Sequence, residues 1–165
     1  MFKTDDVVIY GTYGICKIES TATRSFMGED KEYYVLRPLF TDKNVFYIPV
    51  GSETANNRLH GICSRKTAEK LIKQMKSAEP LWIENDAKRR EEFNRVINSG
   101  NKEEIIRMIK GIRLRRTELE QSGKKLRSFD ESYLVSAEKM LCDELSCALE
   151  IERDKIVEIL KNGNE

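Results

Sequence analysis

The chain has few of the residues that usually announce chemistry. It holds one histidine, one tryptophan, three prolines and four cysteines in 165 residues. A lone His60 cannot complete a usual zinc site with Cys16, Cys63, Cys142 and Cys147, and no two of these are spaced Cys-x-x-Cys. The thiols read instead as small apolar core residues. Cys63 and His60 as nucleophile and base would lack a third group to orient them. No Gly-rich phosphate loop, no βαβ alternation and no internal repeat occurs, which excludes the common nucleotide-binding folds and solenoids. Paired carboxylates such as Glu103-Glu104 fall at a helix start, where the macrodipole accounts for them. An enzyme is therefore not expected, nor a metal, cofactor or small-molecule substrate. No apolar run reaches the length of about 18 residues that a membrane helix needs. The opening Met1-Phe2-Lys3-Thr4-Asp5-Asp6 lacks the basic and apolar stretches of a signal peptide, so a cytoplasmic location is expected.

An excess of one charge is also missing. The formal net charge is +1, although 35% of residues are charged and 39% hydrophobic. Bulk electrostatics thus announce no nucleic-acid partner, while the apolar share is enough for a packed core. The distribution says more. From Arg107 to Arg127 eight basic residues face two acidic ones, a local +6 that could meet phosphates or form a solvated helix face.

What is present divides by period. Val7–Tyr10, Ile15–Glu19, Glu32–Leu36 and Asn44–Ile48 are rich in β-branched and aromatic residues. Turn signals separate them at Gly11–Gly14, Met27-Gly28-Glu29-Asp30 and Thr41-Asp42-Lys43-Asn44, and Pro49 closes the last strand. Short strands with short turns predict a small antiparallel sheet that curls closed like an SH3-type barrel, over residues 1–55.

From Ser64 the apolar spacing becomes helical, and an all-α domain of about five helices is expected over residues 64–165. Ser64 caps a helix bearing Ala68, Leu71, Ile72 and Met75. Pro80 breaks the chain, and a second helix is expected to begin near Trp82, carry Ile83, Ala87, Phe93, Val96 and Ile97, and stop at Gly100. Asn101 caps a third, with Ile105, Ile109 and Ile112 inward. Gly111 within it costs about 1 kcal/mol relative to Ala, so a close backbone approach is expected there. Ser122–Lys125 is a loop. Ser128 and Glu131 read as a capping box that opens the strongest helix, with Leu134, Ala137, Leu141, Leu145 and Leu149 on one face. A last short helix carries Ile156 and Leu160 before Asn162-Gly163. The fold class is α+β, a β-barrel followed by helices, and the residues alone indicate a binding protein.

The sequence also resembles a known family. Phe2 to Ile18, with Val7-Val8-Ile9-Tyr10-Gly11 and Tyr13-Gly14-Ile15, is similar to the opening of the CarD/CdnL family. Gly28 followed by Lys31-Glu32-Tyr33-Tyr34-Val35-Leu36, and Val45-Phe46-Tyr47-Ile48-Pro49-Val50, resemble its next strands. Trp82, Arg89-Arg90, Ser99-Gly100-Asn101 and the segment Ala137 to Leu145 follow in the family's order. The resemblance implies a Tudor-like barrel, shared with transcription-repair coupling factors, that binds the β subunit of bacterial RNA polymerase. It also implies a helical domain that meets promoter DNA at the upstream edge of the transcription bubble and stabilises the open complex.

Site residues carry over unevenly. Arg24 matches one polymerase-contacting basic residue of the family, and Tyr47 stands where the family has a second. Trp82 matches an indole that wedges into the minor groove, a device whose unstacking cost of a few kcal/mol is offset by the contacts of the bent DNA. About four extra residues, roughly one helical turn, separate it from Ser99 relative to the family pattern. Lys88, Arg89 and Arg90 are the expected phosphate contacts, with Lys124 and Lys125 as a second set. The plain alternatives are an exposed arginine for Arg24, a barrel aromatic for Tyr47, a core indole for Trp82 and solvated cations for the rest. An adaptor with an SH3-like barrel and no DNA role is the alternative function.

Overall fold

The computed structural model describes residues 1–42 and 44–162. Lys43 of the expected 41–44 turn and the expected Gly163 stop lie outside the described residues. The chain divides into two compact units, Met1–Cys63 and Ser64–Glu165.

The first unit is a five-stranded antiparallel sheet. Its strands are β1 (Val7–Tyr10), β2 (Ile15–Phe26), β3 (Glu29–Pro38), β4 (Phe46–Pro49) and β5 (Leu59–Gly61), in the order β4-β3-β2-β1-β5. A short helix α1 (Glu53–Arg58), capped by Ser52 accepting from Ala55 N at 3.0 Å, packs on both edge strands, β4 and β5. The expected closure of the sheet is thus made by a helix, not by pairing of its two edges. Both α1 and β5 lie beyond the strands legible in the sequence. β5 extends this unit past residue 55, because Leu59, His60 and Gly61 pair with Tyr10, Ile9 and Val8. Val8, Tyr10, Cys16, Ile18, Tyr34, Leu36, Ile48, Ala55 and Leu59 form the core.

Beyond Ile18 a bulge shifts the β2–β3 register, and the rest of the hairpin is largely exposed. Its turn places Met27 at φ +55° and Gly28 at φ +83°, the two left-handed residues that a tight hairpin turn requires. Phe26 and Met27 at this tip are 67% and 94% exposed.

The second unit has five helices among the described residues: α2 (Arg65–Gln74), α3 (Asp86–Ser99), α4 (Lys102–Gln121), α5 (Ser128–Leu149) and α6 (Arg153–Asn162). Ser64 and Asn101 cap α2 and α4 as their spacing predicts, and Gly100 ends α3 at φ +65°. Two local expectations shift. The helix expected from Trp82 begins only at Asp86, where the Asn85 side chain accepts from Lys88 N at 3.0 Å and supplies the cap. Ser128 is already helical; Arg127 stands at the cap position without a side-chain cap bond, and Glu131 faces Arg116 at 3.7 Å.

Gly111 meets its expectation. A Cβ there would lie 1.9 Å from the Leu81 carbonyl oxygen. The loop ahead of α3 therefore lies directly on α4, and Leu81 N donates to Arg107 O at 2.9 Å. Ion pairs clamp the other end: Asp143, 2% exposed, accepts from Lys139 on its own helix and from Arg153 on α6 at 2.6 and 2.7 Å. Among the described residues no helix is long and apolar enough to cross a membrane.

Candidate functional site

On the first unit, Arg24 of β2 and Tyr47 of β4 come together across β3. Arg24 Nη2 donates to the Tyr47 hydroxyl at 2.9 Å, and its guanidinium carbon lies 4.4 Å from the ring centroid. The register explains the meeting. Arg24 is opposite Lys31 and Tyr47 is opposite Val35, so the long arginine reaches back along the ribbon. Both residues are exposed. Arg24 and Lys31 are like charges on directly opposed positions, a repulsive arrangement eased by Lys31 pairing with Glu29 at 2.9 Å. Phe26 lies two residues beyond Arg24, and strand alternation places the two on one face. The result is a cationic and aromatic surface on a rigid sheet, suited to an acidic protein segment.

On the second unit, Trp82 is half-buried in the loop before α3. Its indole stands 4.3 Å from the guanidinium carbon of Arg89, edge-on to Phe93 at 6.4 Å, with Arg115 at 5.9 Å. Its Nε1 is buried with no hydrogen-bond partner among the described residues. Phe129, at the start of α5, carries Arg89 at 5.0 Å and Arg90 at 4.0 Å. The guanidiniums and rings of Arg115, Trp82, Arg89, Phe129 and Arg90 thus alternate in one ladder, each contact of a kind worth roughly 0.5–2 kcal/mol.

Arg89 departs from the sequence expectation of a phosphate contact. It is 2% exposed, and Asp130, 1% exposed, accepts from its Nε at 2.8 Å. Hydrogen bonding to Asp130 raises the Arg89 pKa above its ordinary value, against the opposing effect of burial. The guanidinium is consumed by protein acceptors and cannot also reach a phosphate.

Its neighbours are placed differently. Lys88, Arg90, Lys124 and Lys125 are exposed, and Lys88, Lys124 and Lys125 have no ion pair among the described residues. Two contacts draw their segments together: Arg127 pairs with Asp86 at 3.2 Å, and Arg90 lies over Phe129. The start of α3 and the 122–127 loop therefore share one end of this unit. Sequence reasoning missed Asp86, Phe129, Arg127 and Asp130. The acidic pair in the first turn of α5 suggested only a helix start, and nothing local marks Asp130 as the partner of a residue 41 positions away.

Cys16 and Cys142 are buried, and Cys63 and Cys147 half-buried. Burial pushes the Cys16 and Cys142 thiols up to about 11. Among the described residues no group of three or more His, Cys, Asp or Glu could hold a metal ion.

These features define a class: a small β-module with an exposed cationic and aromatic face, followed in the chain by a helical unit. The family is more particular. Residues 2–55 match the model of the CarD-like/TRCF RID domain. Over residues 2–55 the N-terminal unit is similar to that domain family, whose members interact with the β subunit of RNA polymerase, and this similarity supports a transcription-related role. No curated protein matches the chain.

Proposed function

We propose that this chain is a bacterial transcription regulator that grips the polymerase β subunit through the Arg24–Tyr47 face and stabilises the promoter open complex through its helical unit. The observation that carries the reading is that Arg24 and Tyr47, far apart in sequence, form one exposed cation–aromatic pair within the matched domain. An arginine on an aromatic ring is a preorganised anchor, because the stack limits the rotamer freedom lost on binding.

The DNA part rests on Lys88, Arg90, Lys124 and Lys125. Such contacts are to phosphate and carry no base sequence, so the binding is nonspecific. A net charge of +1 suits this arrangement. The polymerase supplies the effective concentration, and weak DNA contacts suffice. The wedge role implied for Trp82 requires its indole to leave or share the Arg89 stack, which adds to the unstacking cost of inserting it into DNA. The chain acts in the cytoplasm, at the upstream edge of the bubble, as a binding protein and not as an enzyme.

The test is two-armed. Arg24→Glu is expected to abolish retention of the polymerase β subunit in a pull-down with the full chain, and Tyr47→Phe to weaken it. Replacing Lys88, Arg90, Lys124 and Lys125 with Glu is expected to leave retention intact while removing salt-sensitive protection of promoter DNA in the polymerase complex. Trp82→Ala should keep retention and shorten open-complex lifetime. Retention without any DNA protection by the wild-type chain would replace this reading with that of an adaptor.

A further inference from the structure

The buried guanidinium of Arg89 has five N–H donors, and the structure provides an acceptor for each. Nε donates to Asp130 Oδ1 at 2.8 Å. Nη2 donates to Asp130 Oδ2 and Asp86 Oδ1, both at 2.9 Å. Nη1 donates to the carbonyl oxygens of Ile83 and Glu84 at 2.8 and 3.2 Å. Two rings, Trp82 and Phe129, stand against the same guanidinium. One side chain thereby ties together three segments: the loop that carries Trp82, the first turn of α3 and the first turn of α5.

Burying an arginine is costly unless its charge is paired and its donors are filled. Here the arrangement meets both conditions at the junction from which Lys88, Arg90 and Trp82 are presented. Asp86 also receives Arg127, which leads directly into α5. The hub thus sets the register of the α3 cations against the loop holding Lys124 and Lys125.

We propose that Arg89 is the positioning residue of the DNA-contact face. It holds the Trp82 indole in place and fixes the two cationic segments relative to each other, without itself touching phosphate. This inference rests on the DNA reading above. It makes Arg89 different in kind from Lys88 and Arg90, its neighbours in the same basic run. Lysine is no substitute, because an ammonium has three donors, no planar fork and no flat face to stack.

Trp82 is the sole tryptophan beside six tyrosines, so emission excited selectively at the red edge of the indole band reports this site alone. The experiment compares wild type, Arg89→Lys and Arg89→Met in three measurements. These are acrylamide quenching of Trp82, affinity for forked promoter duplex bound with polymerase across a salt series, and far-ultraviolet circular dichroism. In the wild type Trp82 is expected to be quenched several-fold less than free tryptophan. Arg89→Lys and Arg89→Met are both expected to raise quenching towards the free value and to weaken the DNA contribution at least tenfold, to a similar extent. Equal loss in the charge-conserving variant separates positioning from phosphate contact, since a phosphate-contacting arginine would be largely rescued by lysine.

Wild-type quenching and affinity in Arg89→Lys would overturn the proposal. If Arg89→Lys loses its helical signal, the wild-type measurement decides: a Trp82 as accessible as free tryptophan overturns the proposal. A wild-type chain with shielded Trp82 but no DNA contribution at any salt overturns the DNA reading itself, and with it the role given to Arg89. DNA binding by wild type and equally by Arg89→Lys overturns the Arg89 inference alone.

Discussion

Replacing Gly111 with alanine tests the packing beneath the Trp82 loop. In a solvated helix this change stabilises by about 1 kcal/mol, because alanine restricts the unfolded backbone. Gly111 is buried in α4, and the new Cβ would lie 1.9 Å from the Leu81 oxygen, 2.6 Å from its carbonyl carbon and 3.0 Å from its nitrogen. These are backbone atoms, and no side-chain rotation relieves the clash. Leu81 must retreat by about 1–1.5 Å before ordinary contact distances return. The movement strains or breaks the Leu81 N–H to Arg107 bond, which has a net value of about 1 kcal/mol. Overpacking of a fitted core adds about 1–3 kcal/mol. Set against the helix gain, Gly111→Ala should destabilise the helical unit by about 1–3 kcal/mol, reversing the sign seen on an open helix face. Unfolding followed by circular dichroism should show a midpoint lower by about 4–24 °C, given roughly 4–8 °C per kcal/mol for a domain of this size. Trp82 adjoins Leu81, so its emission should change in the native state as well. A Gly111→Ala chain that melts at or above the wild-type temperature would refute the close approach of the two segments.

Asp130→Ala should cost about 3 kcal/mol in urea unfolding, because it leaves the buried Arg89 charge short of its main acceptor; the value is at the low end because Asp86 and two carbonyls remain. A loss under 1 kcal/mol would mean that Arg89 escapes to water. At pH 8, thiol titration of the native chain should spare Cys16 and Cys142, whose pKa values burial raises to about 11, and unfolding in guanidinium should expose them. Rapid native labelling of either would contradict their place in the core. Hydrogen bonds from Arg95 hold the Glu92 and Glu104 carboxyls below their ordinary pKa, so this cluster stabilises above the unfolded value of about 4.3 and the effect is lost as pH falls through the lower folded values. Arg95→Gln should therefore lower the melting temperature at pH 7 yet match wild type near pH 2. A difference that is constant across pH would show that the charges are not its cause.

Much of this molecule is written locally. The change from period two to period 3.6 near Ser64 follows from side-chain alternation and separates sheet from helices before any contact is known. The caps at Ser64 and Asn101, the stop at Gly100 and the tight contact at Gly111 follow from what those side chains, or the lack of one, permit. Arg24, Tyr47, Lys88, Arg90, Lys124 and Lys125 are residues that the sequence singles out, and all six are exposed. The rest depended on tertiary structure, because burial and pairing are not local properties. β5 is three residues long and exists as a strand only because β1 offers it an edge. The run Lys88-Arg89-Arg90 reads as three equivalent cations, yet helical rotation sends the middle one inward, where Asp130, Asp86 and two carbonyls await it. Charge alone could not distinguish it from its neighbours; only the fold, by bringing α5 against the start of α3, decided which cation of the run is buried and which two are exposed.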